Sequence, residues 1–440
     1  MSRMIFFRRL LLLSVAAWLV WRIVAVGLSA HYMESPQATP DAASKALAWN
    51  PRQPVALYRR GLALREQDPD AAATLLARAY TENPTDVRPL VALARLSQTQ
   101  DDQERSEALL ATALRLAPAD PRVHQQAAEY WVARGDIEAA LRHWSSVLEI
   151  DPARKDSLFP TLLRIAEDPR TRLALQPFAT APASWWASFF AEVAAKARET
   201  ETIRILYALR KDSPQEPVTD EERKAFVERM MVSGHVAEAY VDWVGGLDRQ
   251  QRQALGLLYN GGFELEPLNW GFGWRIRSRP QALVDRGTTF GVEGDQALRL
   301  IFRRYEGHFA GIAQSLFLDP GRYQLTGRVR TDSLESAGGI RWSVQCMLPE
   351  DRELGASERF LGANQWRGFA FEFAVPEACA LQELRLVSAG ERTFERRISG
   401  SAWFDRFAIR KLAGGADAPD VDEPDADESD ADERPLAGDG

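Results

Sequence analysis

Cysteine is almost absent from this chain: two in 440 residues, Cys346 and Cys379, leaving room for one disulfide at most. Histidine is nearly as sparse. The five, His31, His124, His143, His235 and His308, fall in no metal-ligand spacing. There is no Gly-x-Ser-x-Gly, phosphate-binding loop, dinucleotide fingerprint or His-Glu-x-x-His, so no familiar hydrolase, nucleotide-binding or metalloprotease signature is present. Lysine is short too, six among 54 basic residues, and no basic block or nucleic-acid module is visible. The chain is therefore read as non-enzymatic, without a nucleic-acid partner. A glycosidase carboxylate pair is a spatial feature, and the sequence leaves that alternative open. Abundant arginine and alanine fit a GC-rich bacterial genome, which weakens any argument from arginine count alone. After residue 30 no second apolar run of membrane length occurs.

The first thirty residues carry the one run that does. Arg3, Arg8 and Arg9 precede Leu10–Leu28, which is broken only by Arg22. Nineteen helical residues at ~1.5 Å each reach about 28 Å, close to a bilayer's hydrocarbon core. The basic flank stays cytoplasmic, and everything after residue 30 is delivered across the membrane. The expectation is an uncleaved signal anchor (1–30) in a bacterial inner membrane, with the bulk in the periplasm. Cleavage after Gly27 or Ala30 is the alternative. An oxidising compartment favours a Cys346–Cys379 disulfide over two buried thiols, and closing that loop is worth about 3–4 kcal/mol.

Net charge is −8, but residues 413–440 hold 11 acidic residues and one arginine, a balance of −10 that leaves the rest near +2. With almost no large apolar residue, the tail 413–440 cannot offset its ordering entropy and is expected to be disordered. Its repeated aspartate suggests calcium; a solvated spacer is the plainer reading.

Pro51, Pro84, Pro118 and Pro152 recur at intervals of 33, 34 and 34 residues, each closing a helical stretch. Within the last unit Ala128 allows close helix approach, Trp131 fills the space between helices, and Gly135-Asp136 turns the chain. Over residues 52–152 this resembles the tetratricopeptide repeat family. Decayed helical pairs continue, so an all-α solenoid is expected over 40–256, with a concave face for a protein partner. Trp185, Trp186, Phe189 and Phe190 read as core between helices, with sugar stacking as the alternative.

From Leu257 the pattern changes to period-two alternation with Gly, Pro and Asp punctuation, as in Gly321–Thr331, Phe369–Val375 and Ala402–Arg410. Six to nine strands over 257–412 imply an all-β jelly-roll sandwich. Asn260-Gly-Gly-Phe-Glu264, Gly273-Trp274, Gly294, Trp366 and Trp403-Phe404-Asp405 follow in an order that resembles jelly-roll carbohydrate-binding modules. That resemblance implies a galactose-binding-like fold. It also implies a structural Ca²⁺ near Glu264 and Asp405, although Glu264 pairing with an arginine explains the same residue. No other cofactor is expected.

By alternation Leu325, Val329, Trp342, Val344, Phe371, Leu384 and Leu386 face inward. Arg299, Arg328, Arg330, Arg341, Gln345 and Arg385 then face outward, several of them on one concave sheet. Guanidinium forks there suit an acidic polysaccharide; an ordinary solvated face is the alternative. Trp270 and Phe272 are the candidate stacking aromatics, while Trp274 packs in the core. The whole reads as a membrane-anchored periplasmic scaffold in exopolysaccharide biosynthesis or export. A protein-assembly adaptor without sugar binding, or a cryptic glycan-processing enzyme, are the other readings.

Overall fold

The structure is a computed structural model that describes residues 2–34, 39–213, 216–292, 294–390 and 392–412. The acidic tail, and with it the expectation of disorder, lies outside the described residues. The chain divides into two compact units, Met1–Arg229 and Met230–Gly440.

Helix α1 (Ser2–His31) contains Leu10–His31, long and apolar enough to cross a membrane. Length and composition fit an anchor or a signal sequence equally. Its last turns are already claimed by protein: Ala25 and Ser29 are buried, and Ser29 Oγ donates to Ala46 O on α2 (Pro40–Trp49) at 2.9 Å.

Three helical hairpins follow, α3 (Pro54–Leu64) with α4 (Pro69–Glu82), α5 (Arg88–Thr99) with α6 (Gln103–Leu116), and α7 (Pro121–Ala133) with α8 (Ile137–Ile150). Each second helix starts at an aspartate, Asp68, Asp102 and Asp136, spaced by 34 residues. Their carboxylates accept the N–H groups of Ala71, Arg105 and Ala139 at 3.0, 3.2 and 2.8 Å. Each such cap is worth about 1 kcal/mol. The hairpins close tightly because the contact position is small. A Cβ on Gly61 would lie 2.9 Å from Leu76 Cγ, and Ala94 and Ala128 are fully buried.

The unit continues through α9 (Lys155–Glu167), α10 (Gln176–Thr180), α11 (Trp186–Lys196), α12 (Thr200–Lys211) and into α13 (Asp220–Val232). Trp185, Trp186, Phe189 and Phe190 are all buried, so the core reading holds. Trp185 Nε1 donates to Ser145 Oγ at 3.0 Å, and the Phe189 ring lies 5.6 Å from Phe159.

In the second unit α14 (Val236–Gly246) and α15 (Arg249–Gln253) precede ten strands among the described residues. These are β1 (Trp274–Ile276), β2 (Ala282–Gly287), β3 (Ala297–Tyr305), β4 (Ile312–Leu316), β5 (Gly321–Glu335), β6 (Ile340–Leu348), β7 (Arg352–Ala356), β8 (Gly362–Val375), β9 (Leu381–Ser388) and β10 (Ile398–Lys411). They form two antiparallel five-stranded sheets: sheet A in the order β1-β4-β9-β6-β7, and sheet B in the order β2-β3-β10-β5-β8. Strands as short as β1 leave no readable alternation, which is why the sequence showed fewer. The unit boundary also falls before the change of pattern at 257. Trp243 of α14 packs its ring 5.3 Å from Tyr259 and 5.6 Å from Phe272, joining this helix to the sandwich.

The seven residues expected to face inward are all buried. Trp342 sits at the centre, its ring 5.4 Å from Phe404 and 5.9 Å from Trp274. Cys346 and Cys379 form a disulfide, with Cα atoms 5.8 Å apart.

Candidate functional site

The repeats build a groove of about 660 Å³ lined by residues of α3, α5 and α7, by Leu76 of α4 and by the adjoining turns. Its polar wall repeats with the solenoid. Arg88 Nε and Nη2 donate to Asp86, and Arg122 Nε and Nη2 donate to Asp120, the same side-on fork one repeat later. The Arg122 guanidinium holds the Asp120 carboxyl below the usual range. Burial alone would raise Asp86, but its side-chain and backbone bonds from Arg88 bring it down. Arg88 Cζ also lies 5.3 Å over the Tyr58 ring. Val91 and Leu96 add an apolar floor. A guanidinium fixed along one edge by aspartate presents its other edge in a set direction, which suits peptide carbonyls or carboxylates.

His124 and His143, on facing helices of the third hairpin, form a pair. His124 Nε2 lies 2.9 Å from Pro118 O, and the two Nδ1 atoms are 3.1 Å apart. A carbonyl only accepts, so His124 donates through Nε2, and its bare Nδ1 takes the proton of His143 Nδ1 when both rings are neutral. Burial, then the charges of His124 and Arg142, push the His143 imidazole down to about 4.

In the sandwich the predicted ligand residues separate. Arg341, Gln345 and Arg385 lie on sheet A, and Arg328 lies on β5 of sheet B. The expected single arginine face is therefore corrected to two. Alternation tells which residues point away from the core, but not which sheet a strand joins.

On sheet A three arginines meet carboxylates. Arg341 Nη2 is 3.0 Å from Glu353, Arg385 Nη2 3.4 Å from Asp351, and Arg275 Nη1 3.9 Å from Glu383. Glu353 also accepts from Ser343 Oγ at 2.8 Å, and Ser343 Oγ accepts from Gln345 Nε2 at 2.5 Å. Gln345 is 6% exposed, so it lies beneath this mat rather than facing ligand, another correction. Burial raises the Glu383 carboxyl, against the lowering charges of Arg275 and Arg385.

Sheet B carries residues that the sequence reading left unassigned to a site. Trp403 of β10 faces Arg299 of β3 and Arg330 of β5 across the sheet. Trp366 of β8 has Arg328 Cζ 5.4 Å over its ring, and Arg299 Cζ lies 5.5 Å over Trp403. The signal was present: Phe404, Phe369 and Phe371 are inward, so Trp403 and Trp366 had the outward phase.

The proposed aromatics fare unequally. Trp270 is half-buried. Phe272 is 3% exposed and packed 5.1 Å from Tyr240 and 5.6 Å from Trp243, which corrects its assignment as a stacking residue. The rings that cover it come from α14, some thirty residues upstream, beyond the reach of a loop motif.

The Asn260–Glu264 entry is a closed turn. Asn260 bonds Leu265 through both side-chain atoms, and Trp274 Nε1 donates to Asn260 O at 3.1 Å. Gly261 is required there, since a Cβ would fall 2.0 Å from Phe407 O. Glu264 Oε1 accepts the N–H groups of Asp295 and Gln296 at 3.1 and 3.2 Å. Asp405 is fully buried and accepts from Arg406 N at 2.7 Å. Burial pushes its carboxyl up to about 6, and the Glu264 charge adds to the rise. Two adjacent carboxylates, one of them buried, fit part of a calcium shell. Calcium takes six to eight oxygens, and among the described residues no group of three acidic, histidine or cysteine side chains forms. Backbone carbonyls would have to complete it.

Residues 63–129 match the family described as tetratricopeptide repeat. No curated protein matches the chain. Among solved structures, a CBM4 carbohydrate-binding module is 18% identical, covers 35% of this chain and 99% of its own, and has a TM-score of 0.26. The CBM22-1 xylan-binding domain from Paenibacillus barcinonensis Xyn10C is 15% identical over 32% of this chain and 86% of its own, with a TM-score of 0.23. MamA is 17% identical over 31% of this chain and 81% of its own, with a TM-score of 0.25. Residues 63–129 are thus similar to tetratricopeptide repeats, and the chain continues into a sandwich of two antiparallel five-stranded sheets.

Proposed function

We propose that this protein is a non-catalytic, membrane-anchored scaffold that holds a protein partner in its repeat groove and a glycan on its sandwich. The observation that carries the reading is the repeated Asp–Arg fork beside an apolar floor, a wall built for an extended peptide. Sheet A supports the glycan half. Its matched guanidinium and carboxylate groups offer fixed donors and acceptors to sugar hydroxyls without a net charge requirement. The Leu10–His31 span, followed by a disulfide-bonded domain, supports an inner-membrane anchor with the bulk in the periplasm. That placement suits a role in exopolysaccharide biosynthesis or export.

The test is a glycan array with the full chain in detergent, read beside an affinity capture from the membrane fraction. Glycan retention that falls when Arg341 and Arg385 become alanine supports the scaffold. Capture of a protein partner without retention of any glycan leaves the assembly adaptor. Turnover of a retained glycan would show an enzyme. We also propose that Glu264 and Asp405 hold a structural calcium. Added Ca²⁺ is expected to raise the melting temperature of the wild type, and not of Asp405→Asn. An unchanged wild-type melting temperature removes the metal.

A further inference from the structure

The loop joining β2 to β3 presents an aromatic ring to water and is fastened from beneath. Phe290 is 95% exposed, the highest value among the exposed large hydrophobic residues described. An isolated exposed side chain is ordinary on a loose loop, but three side chains of sheet B hold this one. Trp366 Nε1 donates to Phe290 O at 2.8 Å, Arg328 Nη1 to Gly291 O at 3.1 Å, and Arg330 Nη1 to Thr289 Oγ1 at 2.8 Å. Gly291 has φ +84°, and a Cβ there would fall 2.9 Å from Trp366 Cδ1, so the backbone rests directly on the indole. The loop is pre-organised, which lowers the ordering cost of binding.

The charge on this face differs from that on sheet A. Arg299 is paired with Asp285 at 2.6 Å, while the hydrogen bonds of Arg328 and Arg330 go to neutral oxygens. Of these three guanidinium groups Arg299 is paired with a surface carboxylate, Arg328 stands across the ladder from the buried Asp405, and Arg330 has a neutral hydroxyl as its hydrogen-bond partner. The two tryptophan rings are partly covered, Trp366 by Arg328 and Gly291, and Trp403 by Arg299 with Gly287 alongside. Phe290 is the ring left open. A free aromatic face beside under-neutralised planar cations matches a sugar ring that carries a carboxylate. The ring stacks on Phe290, and its anion takes the outer edge of a guanidinium.

We infer that the outer face of sheet B, with Phe290, Arg328 and Arg330 at its centre, is a second ligand site that binds an acidic polysaccharide. It lies on the opposite sheet from the glycan face proposed above, so the two stand or fall separately.

The experiment uses the full chain in detergent carrying Arg341→Ala and Arg385→Ala, which removes the glycan face proposed on sheet A, with polygalacturonate as the charged polymer and dextran as the uncharged one, measured by affinity electrophoresis at low and high salt. Retention by polygalacturonate, weakened by salt and absent with dextran, is expected. Phe290→Ala and Arg330→Gln should each weaken it roughly tenfold, and the pair should abolish it, with melting temperatures near wild type because both side chains bond little of the fold. In this background, equal retention by dextran, or full retention of polygalacturonate when Phe290 and Arg330 are also replaced, would overturn the site. Failure to bind polygalacturonate while binding vesicles of anionic phospholipid would overturn it too, by making the loop a membrane contact.

Discussion

The two outer faces of the sandwich rest on one core and use the same residue type to opposite ends. On sheet A arginine is balanced by Glu353, Asp351 and Glu383, and serine and glutamine beneath fill the remaining bonds. On sheet B arginine lies over tryptophan and ties down a loop. The guanidinium is charged on both, so its neighbours decide the chemistry. Carboxylates make a neutral, interlocked surface. Indoles leave positive charge available and add a flat apolar platform.

The largest test of this contrast removes what the faces share. Trp342→Ala empties the space between the sheets and should cost about 3–5 kcal/mol in denaturant unfolding. If one face then keeps its ligand while the other loses it, the core beneath them is less shared than the packing indicates.

A smaller effect separates the faces themselves. Glu353→Ala strips an acceptor from Arg341, Ser343 and Gln345 together, and should destabilise the fold by about 1–2 kcal/mol. Arg299→Ala on sheet B loses a half-exposed ion pair and one ring contact, with an expected cost below about 1 kcal/mol. Equal losses in urea melts would mean that sheet A is no more interlocked than sheet B.

The smallest concerns pH. Glu383 has its carboxyl raised by burial, so its contribution to stability is full below the ordinary glutamate range and declines as pH rises through the folded-state value. Glu383→Gln should flatten that decline, by under about 1 kcal/mol, without changing stability at low pH. A variant whose stability falls at every pH would show that the Arg275 and Arg385 charges outweigh burial there.

Much of this architecture was readable in advance. The proline period marked the hairpins because every repeat must stop its helix in the same place, and Asp68, Asp102 and Asp136 mark the restarts. Inward phase on the strands was readable from Leu325 to Leu386 because a core accepts only apolar side chains. The candidate site was less legible. Arg328 and Arg341 carry the same phase on consecutive strands yet belong to different sheets. Phe272 looks like a loop aromatic until α14 covers it. Trp366 and Trp403 had the right phase, but nothing in their own strands indicates an arginine lying over each ring.

Sequence by itself determined what depends on local pattern: the apolar span, the repeat period, the inward faces and the pairing of the two cysteines. Tertiary structure decided what depends on which segments meet: the division of the arginines between sheets, the burial of Phe272 and Gln345, the histidine pair, and the loop that holds Phe290 in water. The physical reason is range. Helix stops and side-chain alternation are settled within a few residues, whereas the partner of a surface charge is set by pairing between strands dozens of residues apart.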